Sequence, residues 1–405
     1  MAGKNVYLNL RDRGFIHQST SENAMHLLEK PLTFYLGIDP TAGSLHIGHV
    51  MTLMMFRKLQ EAGHKGILLI GGATASIGDP TGKNKLRKVL TEQEIKDNIK
   101  GVRQFAERFI IIGGENHALV MNNANWFQGY EFVEFMKNIG SHFNVNTMLS
   151  SYVYKNRLEN GGLTFLEMGY MLMQAYDFLY LRNTHNCSLQ IGGSDQWGNI
   201  VAGIELCRKM WGDQEENFGL TCPLLLTKDG KKMGKSTSGT IWVDKEKTSV
   251  LDFYQYFYNI EDEATENLLK LFSDMSLEDI AWICKNDIVS AKRKMAHAIT
   301  ELVHSTKEAD EAEETIKKLF SSGDSDRMPK VFLEVQDKEL AVADLLVLSG
   351  FLPSKNEAKR LIAQGGIEID GIRVSDPMEM VNVKKGSVVL KKGKKNFLKT
   401  IFQDI

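Results

Sequence analysis

Cysteine is scarce and scattered in this 405-residue chain. Cys187, Cys207, Cys222 and Cys284 form no C-x-x-C pair and have no histidine cluster beside them, which argues against a zinc site or a disulfide framework. They read as reduced, structural thiols of a cytoplasmic protein. No stretch approaches the ~18 apolar residues that a membrane helix needs. Arg11-Asp12-Arg13 falls where a secretory signal would need an apolar run, and Asp12 and Glu22 spoil a transit peptide. Internal repeats, low-complexity segments and a G-x-G-x-x-G fingerprint are all missing. Gly78-Asp79-Pro80-Thr81-Gly82-Lys83 is too short between its glycines for a P-loop and is followed by Asn84 instead of Ser or Thr. A large net charge is missing too, at −2, but the average hides an asymmetry. Residues 341–405 carry 11 Lys and Arg against 7 Asp and Glu, leaving 38 against 44 elsewhere. A small basic tail on a mildly acidic body suits RNA contact at the tail.

What is present is a globular composition, 43 % hydrophobic and 25 % charged, long enough for two or three domains. Thr33–Ile38 reads as a buried strand closed by Asp39-Pro40. Ser44 offers an N-cap for a helix to about Ala62, with Ile47, Leu53, Met54 and Leu59 inward. Gly66–Gly72 is a second strand, apolar between glycines, as parallel strands covered on both faces are. Helices near Glu92–Phe109, Tyr130–Gly140, Phe165–Leu181 and Gln196–Met210, with strands at Ala118–Met121 and Ser188–Gly193, continue the alternation. The pattern predicts an α/β fold, a doubly wound parallel sheet (Rossmann-like) with ligands at the strands' carboxyl ends, where Asp39, Gly71-Gly72 and Gly193-Ser194-Asp195 fall. After about Ser249 only helices follow: Leu251–Tyr258, Glu263–Phe272, Leu277–Cys284 and Ser290–Ser305. Ser321–Asp326 reads as a linker. Two short helices, Val342–Leu348 and Ser354–Gln364, then precede alternating strands around Asp370-Gly371. The expected domains are residues 1–247, 248–320 and 340–405, with a linker over 321–339.

Two short peptides carry the chemistry. Leu45-His46-Ile47-Gly48-His49 opens the first long helix beside a strand end, where unpaired N–H groups and the helix dipole favour an anion. One histidine on a helix is usually structural, but two flanking a glycine at a helix start fit phosphate contact. Gly48 lets a base or ribose approach the backbone. A His-pair metal site is the rival, without a third ligand nearby in sequence. Lys232-Met233-Gly234-Lys235-Ser236 alone is an ordinary Lys-rich turn, as Lys83, Lys85 and Arg87 alone are a solvated loop. In this order, the two peptides resemble the paired signatures of class I aminoacyl-tRNA synthetases and point to adenylate chemistry.

The resemblance sharpens along the chain. Tyr35-Leu36-Gly37-Ile38-Asp39-Pro40-Thr41, Gly71-Gly72-Ala73-Thr74 with Gly78-Asp79-Pro80, and Tyr170 through Gln174-Ala175-Tyr176-Asp177-Phe178 all resemble the bacterial-type tyrosyl-tRNA synthetases. So does Gln190-Ile191-Gly192-Gly193-Ser194-Asp195-Gln196-Trp197-Gly198-Asn199, the most specific single match. The segment from Leu340 resembles the small RNA-binding module that ends bacterial members. Leu36 stands where a Cys or other small polar residue is expected, and Met168-Gly169 where a Phe-Ser pair is. The resemblance implies that Thr41 and His46 bind the γ-phosphate of ATP, and that Lys83, Arg87, Lys232 and Lys235 close over the pyrophosphate. Asp39, His49 and Asp195 would hold the nucleoside, with Gly37, Gly48, Gly193 and Ser236 also at the ATP site. Tyr35 and Asp177 would meet the substrate's phenol hydroxyl, and Asp79, Tyr170 and Gln174, with Gln196, would surround the amino-acid end. It further implies ATP with Mg2+ as substrate, no prosthetic group, tRNA(Tyr) as partner, and a homodimer with the region Tyr130–Phe165 at its two-fold. Tryptophanyl-tRNA synthetase shares both signatures, but Tyr35 with Asp177 argues against an indole, which offers only an N–H donor. A synthetase-like RNA-binding or splicing protein is the other alternative, and the intact His46, His49, Lys232 and Lys235 speak against that as the sole role.

Overall fold

The computed structural model describes residues 5–404 except 82–89, 115, 161, 213–215, 228–229, 231, 237–238, 323–329, 336–338, 384–385 and 394–395. Six strands form the first sheet: β1 (Gln18–Ser19), β2 (Thr33–Ile38), β3 (Lys65–Ile70), β4 (Leu119–Asn122), β5 (Cys187–Gly193) and β6 (Phe218–Cys222). Their order is β1-β6-β5-β2-β3-β4, all parallel except the edge strand β1. The chain winds from β2 outward through β3 to β4, then returns to β5 on the other side of β2. That reversal makes the crevice between β2 and β5 the switch point where α/β sheets bind ligands.

Consecutive residues of β2 show why both faces are covered. Phe34 packs edge-on against Phe56 of the helix Ile47–Glu61, ring centroids 4.7 Å apart. Tyr35 points the other way, 5.6 Å from Phe178 of the helix Phe165–His185. With side chains alternating at period two, an apolar run is the only pattern that buries both faces. Gly66 completes the first contact, because a Cβ there would lie 2.2 Å from the Phe56 ring. Gly66→Ala should therefore destabilise the fold around this sheet by about 1–3 kcal/mol, read as a lowered denaturant midpoint. Adding Phe56→Leu should recover part of that loss, and no recovery would show that the strain lies elsewhere.

The first long helix corrects one expectation. It starts at Ile47 with His46 as N-cap, not at Ser44. Ser44 is buried and its hydroxyl bonds to the Leu45 carbonyl, so it is unavailable as a cap. Leu45 and His46 stay extended, held by the Val243 N–H on the Leu45 carbonyl and a bridge from His46 to Trp242. Ile47, Leu53 and Leu59 are buried as expected, while Met54 is only half-buried.

The chain divides into two compact units, residues 1–233 with 242–244, and 234–241 with 245–405. In the second, five helices follow: Val250–Tyr258, Asp262–Phe272, Leu277–Asn286, Ile288–Val303 and Thr306–Ser322. Ser249, Ser276 and Asp287 cap three of them through side-chain oxygens. The fifth occupies the start of the expected linker, and the strand Lys330–Val335 lies within that linker too. Lys330–Val335 pairs in parallel with Asn396–Asp404, about 70 residues downstream, a partner that local pattern cannot reveal. Asp370 and Gly371 adopt φ of +50° and +80° in the turn joining Ile367–Ile369 to Ile372–Arg373, as a tight hairpin requires.

Candidate active site

His46 and His49 form a stacked pair at the helix start, ring centroids 3.9 Å apart. The His46 backbone N–H donates to His49 Nδ1 at 3.2 Å. That contact fixes the His49 tautomer with its proton on Nε2. Burial, reinforced by His46 and Lys232, pushes the His49 pKa well below the ordinary histidine value, so the ring is neutral near pH 7. Gly48 is needed here, because a Cβ would press to 3.1 Å from the His46 ring. Thr41 is exposed in the loop just before, and Gly37 is an exposed gap at the end of β2.

A continuous hydrogen-bonded chain runs along the strand ends. Asp39 accepts from the Tyr170 hydroxyl at 2.8 Å and from Thr74 Oγ1 at 2.7 Å. Asn123 donates to Thr74 Oγ1 at 3.0 Å and to Asp177 Oδ2 at 3.1 Å. Trp126 Nε1 completes it, donating to Asp177 Oδ1 at 2.8 Å. Gly71 leaves room for the first link, since a Cβ there would fall 2.0 Å from Asp39 Oδ1. Burial pushes Asp177 up to about 8, against the opposing hydrogen bonds from Asn123 and Trp126. Burial, with the nearby Asp39 second, also raises Tyr170 well above the usual phenol range.

Asn123 and Trp126 were not among the residues the sequence singled out. A signal was there: Asn122-Asn123 closes an apolar strand at its carboxyl end, where α/β sheets place ligands.

Among the described residues, the buried Tyr35 hydroxyl, Gln174 Oε1, Gln190 Oε1 and the Thr81 hydroxyl have no hydrogen-bond partner. Gln190 is the β5 register partner of Tyr35. Buried groups of this kind are costly unless something bonds to them. Asp79 accepts from Gln196 Nε2 at 2.6 Å and from the Thr81 N–H at 2.9 Å. Gln196 Oε1 in turn accepts from Asn199 at 3.1 Å.

Lys232 pairs with Asp195 at 2.9 Å, so a cation assigned to phosphates and a carboxylate assigned to the nucleoside lie together. Gly193 allows this carboxylate its place, since a Cβ there would lie 2.6 Å from Asp195 Oδ1. Beside them a cavity of about 790 Å3 opens, lined also by Asn144, Thr147, Trp197 and Lys209. Lys83 and Arg87 lie outside the described residues. Lys235 and Ser236 form a short strand paired with Gly239–Thr240, after Gly234 with a φ of +85°. Leu36 is buried at 2 % exposure, and a Cβ at Gly169 would meet nothing within 4 Å. Among the described residues, no three His, Cys, Asp or Glu side chains converge as a metal site.

The parallel sheet, the histidine pair at the switch point and the carboxylates around it define the class. Residues 27–321 match the family described as tRNA synthetases class I (W and Y), and the chain belongs to that family. Residues 320–400 match the C-terminal domain of tyrosine–tRNA ligases. Over 98 % of its length the chain is 43 % identical to a tyrosine–tRNA ligase of Clostridium kluyveri, covering all of that protein. It is 42 % identical to that of Clostridium perfringens, over 98 % of this chain and 99 % of the other. A C-terminally truncated mitochondrial tyrosyl-tRNA synthetase of Aspergillus nidulans superposes with a TM-score of 0.69 at 29 % identity, over 78 % of this chain and 94 % of that one. Within class I, the chain is therefore a member of the tyrosyl-tRNA synthetases, enzymes that join an amino acid to tRNA.

Proposed function

We propose that this site activates L-tyrosine with ATP and then charges tRNA(Tyr), with the roles below. In the first step a tyrosine carboxylate oxygen attacks the α-phosphorus, and the bond to pyrophosphate breaks. In the second, a ribose hydroxyl of the terminal tRNA adenosine attacks the tyrosyl carbonyl and AMP leaves. The carboxylate is already ionised near pH 7, so the first step needs alignment and charge stabilisation more than a base. His46 and Thr41 serve the γ-phosphate, and Lys232, Lys235, Lys83 and Arg87 the departing pyrophosphate. Asp39, His49 and Asp195 hold the nucleoside. Mg2+ arrives with ATP as part of that substrate. The cavity beside Asp195, with Trp197 for stacking and Asn144, Thr147 and Lys209 for polar contact, suits the terminal adenosine.

The observation that carries the reading is the buried Tyr35 hydroxyl, which has no hydrogen-bond partner among the described residues and lies within electrostatic reach of Asp177, itself held in place by Asn123 and Trp126. A phenol hydroxyl that accepts from Tyr35 and donates to Asp177 gives Tyr35 its partner and adds a third hydrogen bond to the carboxylate. Asp79, Tyr170 and Gln174 then meet the ammonium at the other end of the ring. Phenylalanine leaves the buried Tyr35 hydroxyl without a partner, at about 1–3 kcal/mol, and forgoes the hydrogen bond to Asp177.

Asp177→Ala should accordingly weaken tyrosine about 10–100-fold and phenylalanine far less. Equal losses for both would make Asp177 structural and end the selectivity argument. The pKa adds a sign. The bound hydroxyl favours ionised Asp177, so tyrosine affinity should rise as pH climbs from about 6 towards 8, and Asp177→Asn should abolish that rise. Calorimetric titration across this range reads both effects.

The same reading takes the protein as a homodimer. Phe132, Val133, Phe165 and Leu166 are exposed apolar residues in and beside the expected two-fold region, and such patches on a soluble chain mark association surfaces.

A further inference from the structure

The helix Glu92–Ala106 carries a glycine in its interior. Glycine there costs about 1 kcal/mol relative to alanine, so Gly101 calls for a packing reason. The reason lies outside the helix. A Cβ at Gly101 would fall 2.1 Å from the carbonyl oxygen of Gly43 and 2.8 Å from its carbon. That neighbour is backbone, which cannot swing aside as a side-chain tip can. One turn earlier, Asn98 Nδ2 donates to the Pro40 carbonyl at 3.0 Å. Positions 98 and 101 share a helix face at i, i+3 spacing. Both ends of the segment Pro40–Gly43 therefore rest on this one face.

The rest itself is fixed. Ile95, Val102 and Ala106 are buried, and Thr91 and Glu94 form a reciprocal capping box at the helix start. The held segment contains Thr41 and runs through Ser44 and Leu45 into His46. Its hydrogen bond to Asn98 and its close approach at Gly101 set where that loop lies relative to the strand end at Ile38.

We propose that Asn98 and Gly101 are positioning residues for the phosphate end of the site. They brace Pro40–Gly43 so that Thr41 and His46 meet the terminal phosphate of ATP in the geometry of the transition state. This rests on the phosphate reading of Thr41 and His46. Neither residue touches substrate.

Gly101→Ala is the direct test, because alanine favours the helix while forcing the loop to move. In the full-length protein, the rate constant for tyrosyl-adenylate formation at saturating ATP and tyrosine should fall about tenfold or more. Tyrosine affinity measured without ATP should stay within about twofold, since Tyr35, Asp177 and Gln174 are untouched. Asn98→Ala should give a smaller loss in the same direction. A merely structural role would lower tyrosine affinity in parallel with the rate, and that result overturns the proposal. Unchanged rates in both variants, with His46→Ala slow, overturn it as well while leaving the phosphate reading intact. If His46→Ala is also unaltered, the phosphate reading falls and the proposal with it. Should Gly101→Ala fail to fold, Asn98→Ala decides alone, since it removes one hydrogen bond and adds no clash.

Discussion

Replacing His46 with alanine should slow tyrosyl-adenylate formation by about 10²–10³-fold, the usual cost of losing one preorganised donor to a transition-state anion. The expectation follows from where the ring sits. His46 is the N-cap of the helix Ile47–Glu61, its backbone N–H tied to His49 and its ring stacked on that neighbour. It is held before ATP arrives, so the interaction costs no reorganisation when charge develops. A group that acts chiefly in the transition state changes the rate constant and leaves ground-state affinity nearly alone. Single-turnover quench-flow with varied ATP and tyrosine separates the two. A collapse of either affinity, with the bound complex reacting at its normal rate, would assign His46 to ground-state binding.

Truncation after Ser322 should separate the two half-reactions. The C-terminal sheet includes Lys330–Val335, so a cut at residue 340 would leave one strand behind and break its pairing with Asn396–Asp404. Every assigned active-site residue lies at or before Ser236, and adenylate formation should survive. Charging of tRNA(Tyr) should fall about tenfold to a hundredfold at near-physiological salt, through weaker tRNA binding. Exposed Lys355, Lys359 and Arg360 belong to the segment removed. Each lost phosphate contact should also make the salt dependence of binding shallower by roughly one unit of log–log slope. Equal loss of both activities would mean the tail supports the catalytic fold, and unimpaired charging would remove it from tRNA recognition.

Local pattern carried some parts of this molecule and not others. Strand β3 was legible because a continuous apolar run between glycines has one reading in a sheet covered on both faces, and β2 and β5 because turn residues, Asp39-Pro40 and Gly192-Gly193, close their runs. Strand β1 is two residues long and pairs with β6 some 200 residues on, and Lys330–Val335 likewise depends on a distant partner. Such pairings are set by tertiary packing, which spacing within a window does not encode. The helix start departs from the local pattern for a related reason. Ser44 has the right chemistry for a cap, but burial and the pairing of Leu45 with Val243 hold the chain extended for two more residues.

In the site, the motif residues were legible as types at fixed offsets. The structure brings Asp39 to Tyr170, Asp79 to Gln196, and Asp195 to Lys232. What escaped was the support. Asn123 bonds Ala73, Thr74 and Asp177 at once, which only the adjacency of β3 and β4 makes possible.

The most direct test of the account is ATP–pyrophosphate exchange by the intact protein, run separately with each proteinogenic amino acid. Exchange should be strong with tyrosine and far weaker with phenylalanine and tryptophan, because only a phenol both accepts from the Tyr35 hydroxyl and donates to Asp177. Exchange driven best by tryptophan, or by phenylalanine as well as by tyrosine, would contradict it.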